Sequence, residues 1–344
     1  MSFFLRNGIL SKLYKLCICA FLALMLLFPT PSLNGAKRGV LLWFNIVLPT
    51  LLPFIIISSL IVKLNIAFSL CNLLHPLIGR LFSVSKNACY PIVMGFLSGI
   101  PMGAKTSADL VNERKITREE GLFLSILCNN ASPMFVLGYI ALTELNLPGL
   151  KLPIILILYG SSIVSACLFR RFYTFFTHET YQTVIPKQSV VARTAGKVYM
   201  QSTEVAPTKR HRTFKIDISM VDSVIMNSFE VITRIGGYII LFSILAQILL
   251  SIEPIHETIR MITVGIFEIT LGIDTIASSS LSHATKIVLI LTITSFGGFS
   301  GIAQTKSVFA DSGLSIRFYI KAKIVNSLIT LCFALLYVKF VLHY

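Results

Sequence analysis

Acidic side chains are scarce in this sequence, with 15 Asp and Glu in 344 residues against 30 Lys and Arg. Charged residues of both signs reach only 13% of the chain, about half the share that a water-facing surface carries, while hydrophobic residues make up 55%. That balance excludes a soluble enzyme and a disordered chain. The seven cysteines (Cys17, Cys19, Cys71, Cys89, Cys128, Cys167 and Cys332) form no CxxC pair and share no spacing with the six histidines. A zinc site and a secreted disulfide scaffold are therefore not expected, and the cysteines read as small hydrophobes. No HExxH, GxSxG or EF-hand pattern occurs, so no metal, no cofactor and no catalytic residue is expected and the chain does not read as an enzyme.

What is present is a series of long apolar runs, at a mean hydropathy of +0.80. Several approach the roughly 20 residues that cross a ~30 Å hydrocarbon core. The fold class expected is all-α, a polytopic membrane protein in contact with the lipid bilayer. The net charge of +15 reads as membrane topology, because the basic residues sit between apolar segments. No nucleic-acid partner is expected.

Along the chain, Arg6, Lys12 and Lys15 precede an apolar run from Leu16 to Phe28, read as a retained anchor helix within residues 1–38. A first half covers 39–173. It holds a span from Val40 to Val62 kinked by Pro49 and Pro53, and an interfacial or partly inserted segment over 66–84 interrupted at His75-Pro76. A re-entrant hairpin over 90–112 and spans over 120–142 and 153–171 complete it. Residues 174–218 form a polar linker carrying Lys187, Arg193, Lys197, Lys209, Arg210, Arg212 and Lys215, expected to be cytoplasmic. A second half covers 219–344. Val221, Val224, Ile225, Ile232 and Ile235 suggest an amphipathic helix on the membrane surface. It is followed by a span over 236–250, a second hairpin over 259–281, and spans over 286–306 and 324–342.

With a cytoplasmic N-terminus and both hairpins returning to their own side, 24 basic residues lie inside, Lys323 among them, and six outside. The two halves then have inverted topology. A faint internal repeat agrees. Trp43-Phe44-Asn45-Ile46-Val47 resembles Ser228-Phe229-Glu230-Val231-Ile232, and Ile92-Val93-Met94-Gly95-Phe96-Leu97-Ser98 falls on Ile262-Thr263-Val264-Gly265-Ile266-Phe267-Glu268.

Inverted repeats with broken helices are a common construction of secondary transporters, whose unwound segments hold substrate near the midplane. Four breaks are readable here. The first runs through Ser98, Gly99, Pro101, Gly103 and Lys105, where Lys105 would place a cation near the hairpin tip; Gly95, Gly99 and Gly103 also form two GxxxG steps that can serve packing alone. The segment lacks the Gly-Lys-Thr of a phosphate-binding loop, so an NTPase is excluded. The second is Asn129, Asn130, Ala131, Ser132 and Pro133, polar groups that face either a cavity or neighbouring helices. Glu268 marks the third, as a proton or sodium site or as an ion-pair partner of Lys105 or Arg260. The fourth carries Ser295, Gly297, Gly298, Ser300 and Gln304, able to aim backbone N–H groups at an anion or simply to pack closely.

At these residues the chain resembles the sporulation integral membrane proteins of the YlbJ/SpoVV type, within the Gate or nucleoside-recognition group. The resemblance rests on Leu51-Leu52-Pro53-Phe54, Gly95 to Lys105, Asn129 to Phe135, Glu268 to Gly272, and Gly297 to Ser300 followed by Gln304. Ile100 stands where that group would carry an aromatic, and Ala131-Ser132 where it would carry a glycine before the proline. The resemblance implies transport of dipicolinate from the mother cell across the outer forespore membrane during endospore formation. The sites would be built from both hairpins and both broken helices, as in the similar concentrative nucleoside transporters. A planar dianion suits Lys105, helix N-termini and amides. A neutral nucleoside would use Asn129, Asn130 and Glu268, and a non-transporting scaffold in spore assembly would use the basic linker. A coupling ion, H+ or Na+, is left open, and a second copy or another sporulation membrane protein is a further partner to consider.

Overall fold

The computed structural model describes residues 2–64, 66–171, 218–251, 256–309 and 311–341; the linker and its seven basic residues lie outside the described residues. Among the described residues the chain is helical, with no strand. Five helices among the described residues are long and apolar enough to cross a membrane, namely Pro29–Lys63, Pro148–Arg171, Ile218–Ser251, His283–Val308 and Ile316–Phe340.

Helix α1 (Ser2–Leu27) contains the expected anchor run and stops at Phe28, ahead of Pro29. Helix α2 (Pro29–Leu42) passes through a π-helical segment, Trp43–Val47, into α3 (Leu48–Lys63). Pro49 has no N–H to give, and just ahead of it the ladder widens, with the N–H of Leu48 bonding the carbonyl of Trp43. Helix α4 (Ile66–Phe82) continues through His75-Pro76 where an interruption was expected. Its Leu73, Leu77 and Leu81, at i, i+4 and i+8, form one exposed apolar row.

Helices α5 (Cys89–Ser98) and α6 (Met102–Asn112) are the arms of the first hairpin. At 10 and 11 residues and 1.5 Å per residue, each arm reaches about 15 Å, half the hydrocarbon thickness. Helix α7 (Arg118–Cys128), capped by the Thr117 hydroxyl on the Glu120 N–H, is the first part of a broken helix. Its continuation is the π-helical segment Phe135–Glu144. Helix α8 is Lys151–Arg171.

Helix α9 (Ile218–Ser251) runs 34 residues without interruption. This corrects the expected division into a surface helix and a separate span at 236. Val224, Ser228, Ile232 and Ile235 are buried against the protein rather than laid on lipid, and Gly236, inside the continuous helix, leaves room for the Trp43 ring. The second hairpin is α10 (Glu257–Phe267) and α11 (Ile269–Ala277). The second broken helix is α12 (His283–Phe296) and α13 (Gly298–Val308), parted by Gly297 at φ 86°. Helix α14 (Ile316–Phe340) is capped by Ser315, so it begins eight residues before the expected span.

Small residues set the closest approaches, as membrane helix packing requires. A Cβ on Gly35 would lie 2.7 Å from the Cα of Ile244, and one on Gly39 3.0 Å from the Cα of Ile240, which clamps α2 on α9. Trp43 Nε1 adds a 2.9 Å bond to the carbonyl of Ile232. The two hairpins close alike. Gly95 meets Gly103 across the first, and Gly265 meets Gly272 across the second. One apolar core joins the first hairpin, α7, α8 and α14; another joins Phe135–Glu144, α8, the second hairpin, α12 and α14.

Candidate functional site

Three of the breaks fall at glycine, asparagine or proline, which interrupt helices readily, and the fourth at Glu268, a helix former held extended while its side chain caps the next helix. Gly99 turns at φ 77° ahead of the cis peptide bond between Ile100 and Pro101. Asn129 leaves the helical region, and Pro133 follows at once. Glu268 is extended, at φ −145° and ψ 118°, between α10 and α11.

The four breaks meet. A Cβ on Gly99 would stand 2.8 Å from the Ser132 nitrogen, so the first hairpin tip lies on the first broken helix. Ile100 reaches across to Gly297 and Gly301 of the second broken helix. Gly298 packs on Ile269 and on the carbonyl of Phe267 at the second hairpin tip, and Tyr139 Oη donates to the carbonyl of Thr270 at 3.2 Å.

Between them is a narrow cleft, open on one side, whose water-sized interior space is about 60 Å³, smaller than a typical small-molecule site. Ser132, Glu268, Gly297, Ser300 and Gln304 line it, with Thr270 and with apolar walls from Val47, Leu51, Ile100, Phe135, Ile235 and Ile239. Glu268 is buried, and its Oε2 accepts from the Leu271 N–H at 2.7 Å, capping α11. No ion pair joins it to Lys105 or Arg260 among the described residues. Gln304 Nε2 donates to Ser300 Oγ at 3.2 Å. Ser132 Oγ accepts from the Phe135 N–H at 3.2 Å and so caps the helical segment after the break. Four helical segments thus begin at the cleft: α6 after Ile100, the Phe135 segment after Ser132, α11 after Glu268 and α13 after Gly297.

Other expected site residues lie behind the cleft. Ser98 Oγ meets Ser58 Oγ at 2.8 Å. Gly99, Gly103 and Gly298 serve close backbone approach, and Ser295 Oγ bonds its own helix at Thr292. Asn129 Nδ2 donates to Thr305 Oγ1 and Tyr319 Oη at 3.0 and 2.9 Å, and its Oδ1 accepts from the Ala104 N–H at 3.3 Å. Asn130 Nδ2 donates to Ser162 Oγ and to the carbonyl of Leu127. Of the two readings of these amides, the one in which they tie helices together describes their contacts. Lys105 is exposed on α6, one turn from Asp109, and is absent from the cleft wall.

The buried cation is a different lysine. Lys323, counted above among cytoplasmic loop residues, is 1% exposed inside α14. Its Nζ donates to Asn130 Oδ1 at 3.0 Å and to the carbonyl of Ser295 at 3.3 Å, so it touches both broken helices.

The chain is 26% identical over 349 aligned residues to the sporulation integral membrane protein YlbJ of Bacillus subtilis (strain 168), a match covering 95% of this chain and 83% of that protein. The chain is a YlbJ homologue. No family model matches it, and no solved structure matches it.

In this homologue of YlbJ, sequence reasoning missed Lys323, Asn326 and Thr270. A signal for the first two existed. Tyr319, Lys323, Asn326 and Thr330 recur at helical spacing and are all buried, a polar stripe inside an apolar helix. Asn326 Nδ2 donates to the carbonyl of Ser295 at 3.2 Å, and Thr330 Oγ1 bonds Ser161 Oγ at 2.7 Å.

Proposed function

We propose that this protein is a transporter of small organic anions acting in endospore formation, with dipicolinate, moved from the mother cell across the outer forespore membrane, as its substrate. The observation that carries this reading is the convergence of four helix starts on one cleft. Each helix N-terminus carries roughly half a positive charge, and Ser132, Glu268 and Asn129 already accept one first-turn N–H each at three of the four. Several such ends aimed at one small space favour a carboxylate without a lysine or arginine in the wall. The sporulation role comes from the homologue's name.

The two halves, 39–173 and 219–344, are read as inverted repeats, each with one hairpin and one broken helix, and the linker as cytoplasmic. The matching glycine closures of the two hairpins support that pairing. Glu268, the carboxyl group in the cleft wall, is the group placed to couple a proton or cation to substrate movement. A second reading, transport of a nucleoside or another neutral metabolite, is favoured by the same carboxyl group beside Gln304, Ser300 and Thr270, which suit hydroxyl and base edges. That reading also fits the broader Gate resemblance.

The test is uptake of labelled dipicolinate into proteoliposomes, with uridine as competitor. Uptake that resists uridine is expected. Lys105→Ala retains uptake, because the side chain is exposed and outside the cleft. Glu268→Gln keeps an acceptor for the Leu271 N–H but removes the titratable carboxyl, so gradient-driven uptake is expected to fall while the fold is retained. Uptake abolished by uridine would favour the nucleoside reading. No uptake of either compound under any ion gradient would favour the scaffold.

A further inference from the structure

We propose that Lys323 is a tethered cation standing where an ion-coupled transporter would bind a free monovalent cation, so that the two helix breaks are held together without sodium. The inference deepens the transport reading and rests on it for its meaning, although its test does not.

The geometry is that of an oxygen-lined cation site occupied by a side chain. Asn130 Oδ1 comes from the first break. The carbonyl of Ser295 comes from the last turn of α12, where the turn at Gly297 ends the helix and leaves carbonyls without partners along it, at the negative end of the helix dipole. Asn326, one turn further along α14, shares that carbonyl through Nδ2, while its buried Oδ1 has no hydrogen-bond partner. A buried acceptor without a partner is costly, and this one lies in the cluster that the ammonium already occupies.

Nothing negative faces the lysine. The ion pairs Arg38–Asp274, Glu113–Lys115 and Glu230–Arg234 all lie elsewhere. The ionisable neighbours are the Cys128 thiol at the end of α7 and Tyr319 on its own helix, whose ring lies 5.8 Å from Nζ. A buried ammonium held only by neutral oxygens is expensive as a structural device, since an apolar residue would pack at less cost. It also stands behind the cleft, not in its wall, which separates it from substrate binding. What remains is the role that a bound cation plays in joining discontinuous helices.

The test uses the purified full-length protein in detergent, with thermal stability measured in sodium chloride and in choline chloride at equal concentration. Wild type should unfold at the same temperature in both. Lys323→Ser opens the site; its Tm should fall in choline, and sodium or lithium should raise it by roughly 2–4 °C. A serine variant indifferent to sodium and lithium would overturn the proposal. So would a wild type that sodium stabilises, a measurement that needs no variant and stands if Lys323→Ser does not fold. Because neither readout involves substrate, a protein that fails to take up dipicolinate can still pass or fail this test.

Discussion

The contact between the first hairpin and the first broken helix is backbone against backbone, and Gly103→Ala addresses it directly. A Cβ at this position would stand 2.6 Å from the carbonyl oxygen of Cys128, 2.8 Å from its carbonyl carbon and 3.0 Å from the nitrogen of Asn129. Ordinary contact begins near 3.4 Å, so α6 must retreat by about 0.8 Å, and no flexible side chain is there to yield. Overpacking of this kind costs about 1–3 kcal/mol. Alanine returns up to about 1 kcal/mol of helix propensity, since Gly103 lies within α6. The net expectation is a loss of about 1–2 kcal/mol, roughly 2–6 °C in Tm. Gly237→Ala is the control. It sits inside α9 with nothing within 4 Å of its Cβ, so propensity acts alone and the variant should be as stable as wild type or more so. The assay is thermal unfolding of both variants in one detergent. If Gly103→Ala unfolds at or above the temperature of Gly237→Ala, the reasoning from close approach is wrong.

Two further outcomes are expected. Asn129→Ala leaves the Ala104 N–H, Thr305 and Tyr319 without their buried partner, which should cost about 2–4 kcal/mol, read as a fall in Tm larger than that of Gly103→Ala. Asp274→Asn breaks the pair with Arg38, whose side chains are 39% and 28% exposed. Its cost should stay below about 1 kcal/mol and shrink as salt is added.

The breaks were legible because helix breakers act locally. Gly99 with Pro101, Asn129 with Pro133, and Gly297 with Gly298 announce themselves within apolar runs, and the structure parts its helices there. The buried carboxyl of Glu268 was readable for the same reason, because an acid among apolar residues has few other places to be. Partners were not legible. Asn129 and Asn130 advertised the cost of burying an amide, but that cost is met equally by a substrate or by a neighbouring helix, and the choice depends on contacts 25 to 193 residues away. Lys323 was misplaced because a charge count assigns each lysine to the end of a span. The cap at Ser315 starts α14 earlier and carries Lys323 two turns into it. The burial of the first half of α9 was hidden in long-range contacts, among them the seating of the Trp43 ring on Gly236.

That ring has a practical meaning of its own. Trp43 is the single tryptophan of the chain, and it sits where α2 gives way to α3 against α9, one turn from Val47 and facing the helix that carries Ile235 and Ile239 into the cleft wall. Its emission therefore reports on one seam, with no second indole to obscure it. A movement that parts these helices and admits water to the half-buried indole shifts its colour towards red. A rearrangement of this seam, if the proposed transport requires one, can be followed in the unlabelled molecule by light alone.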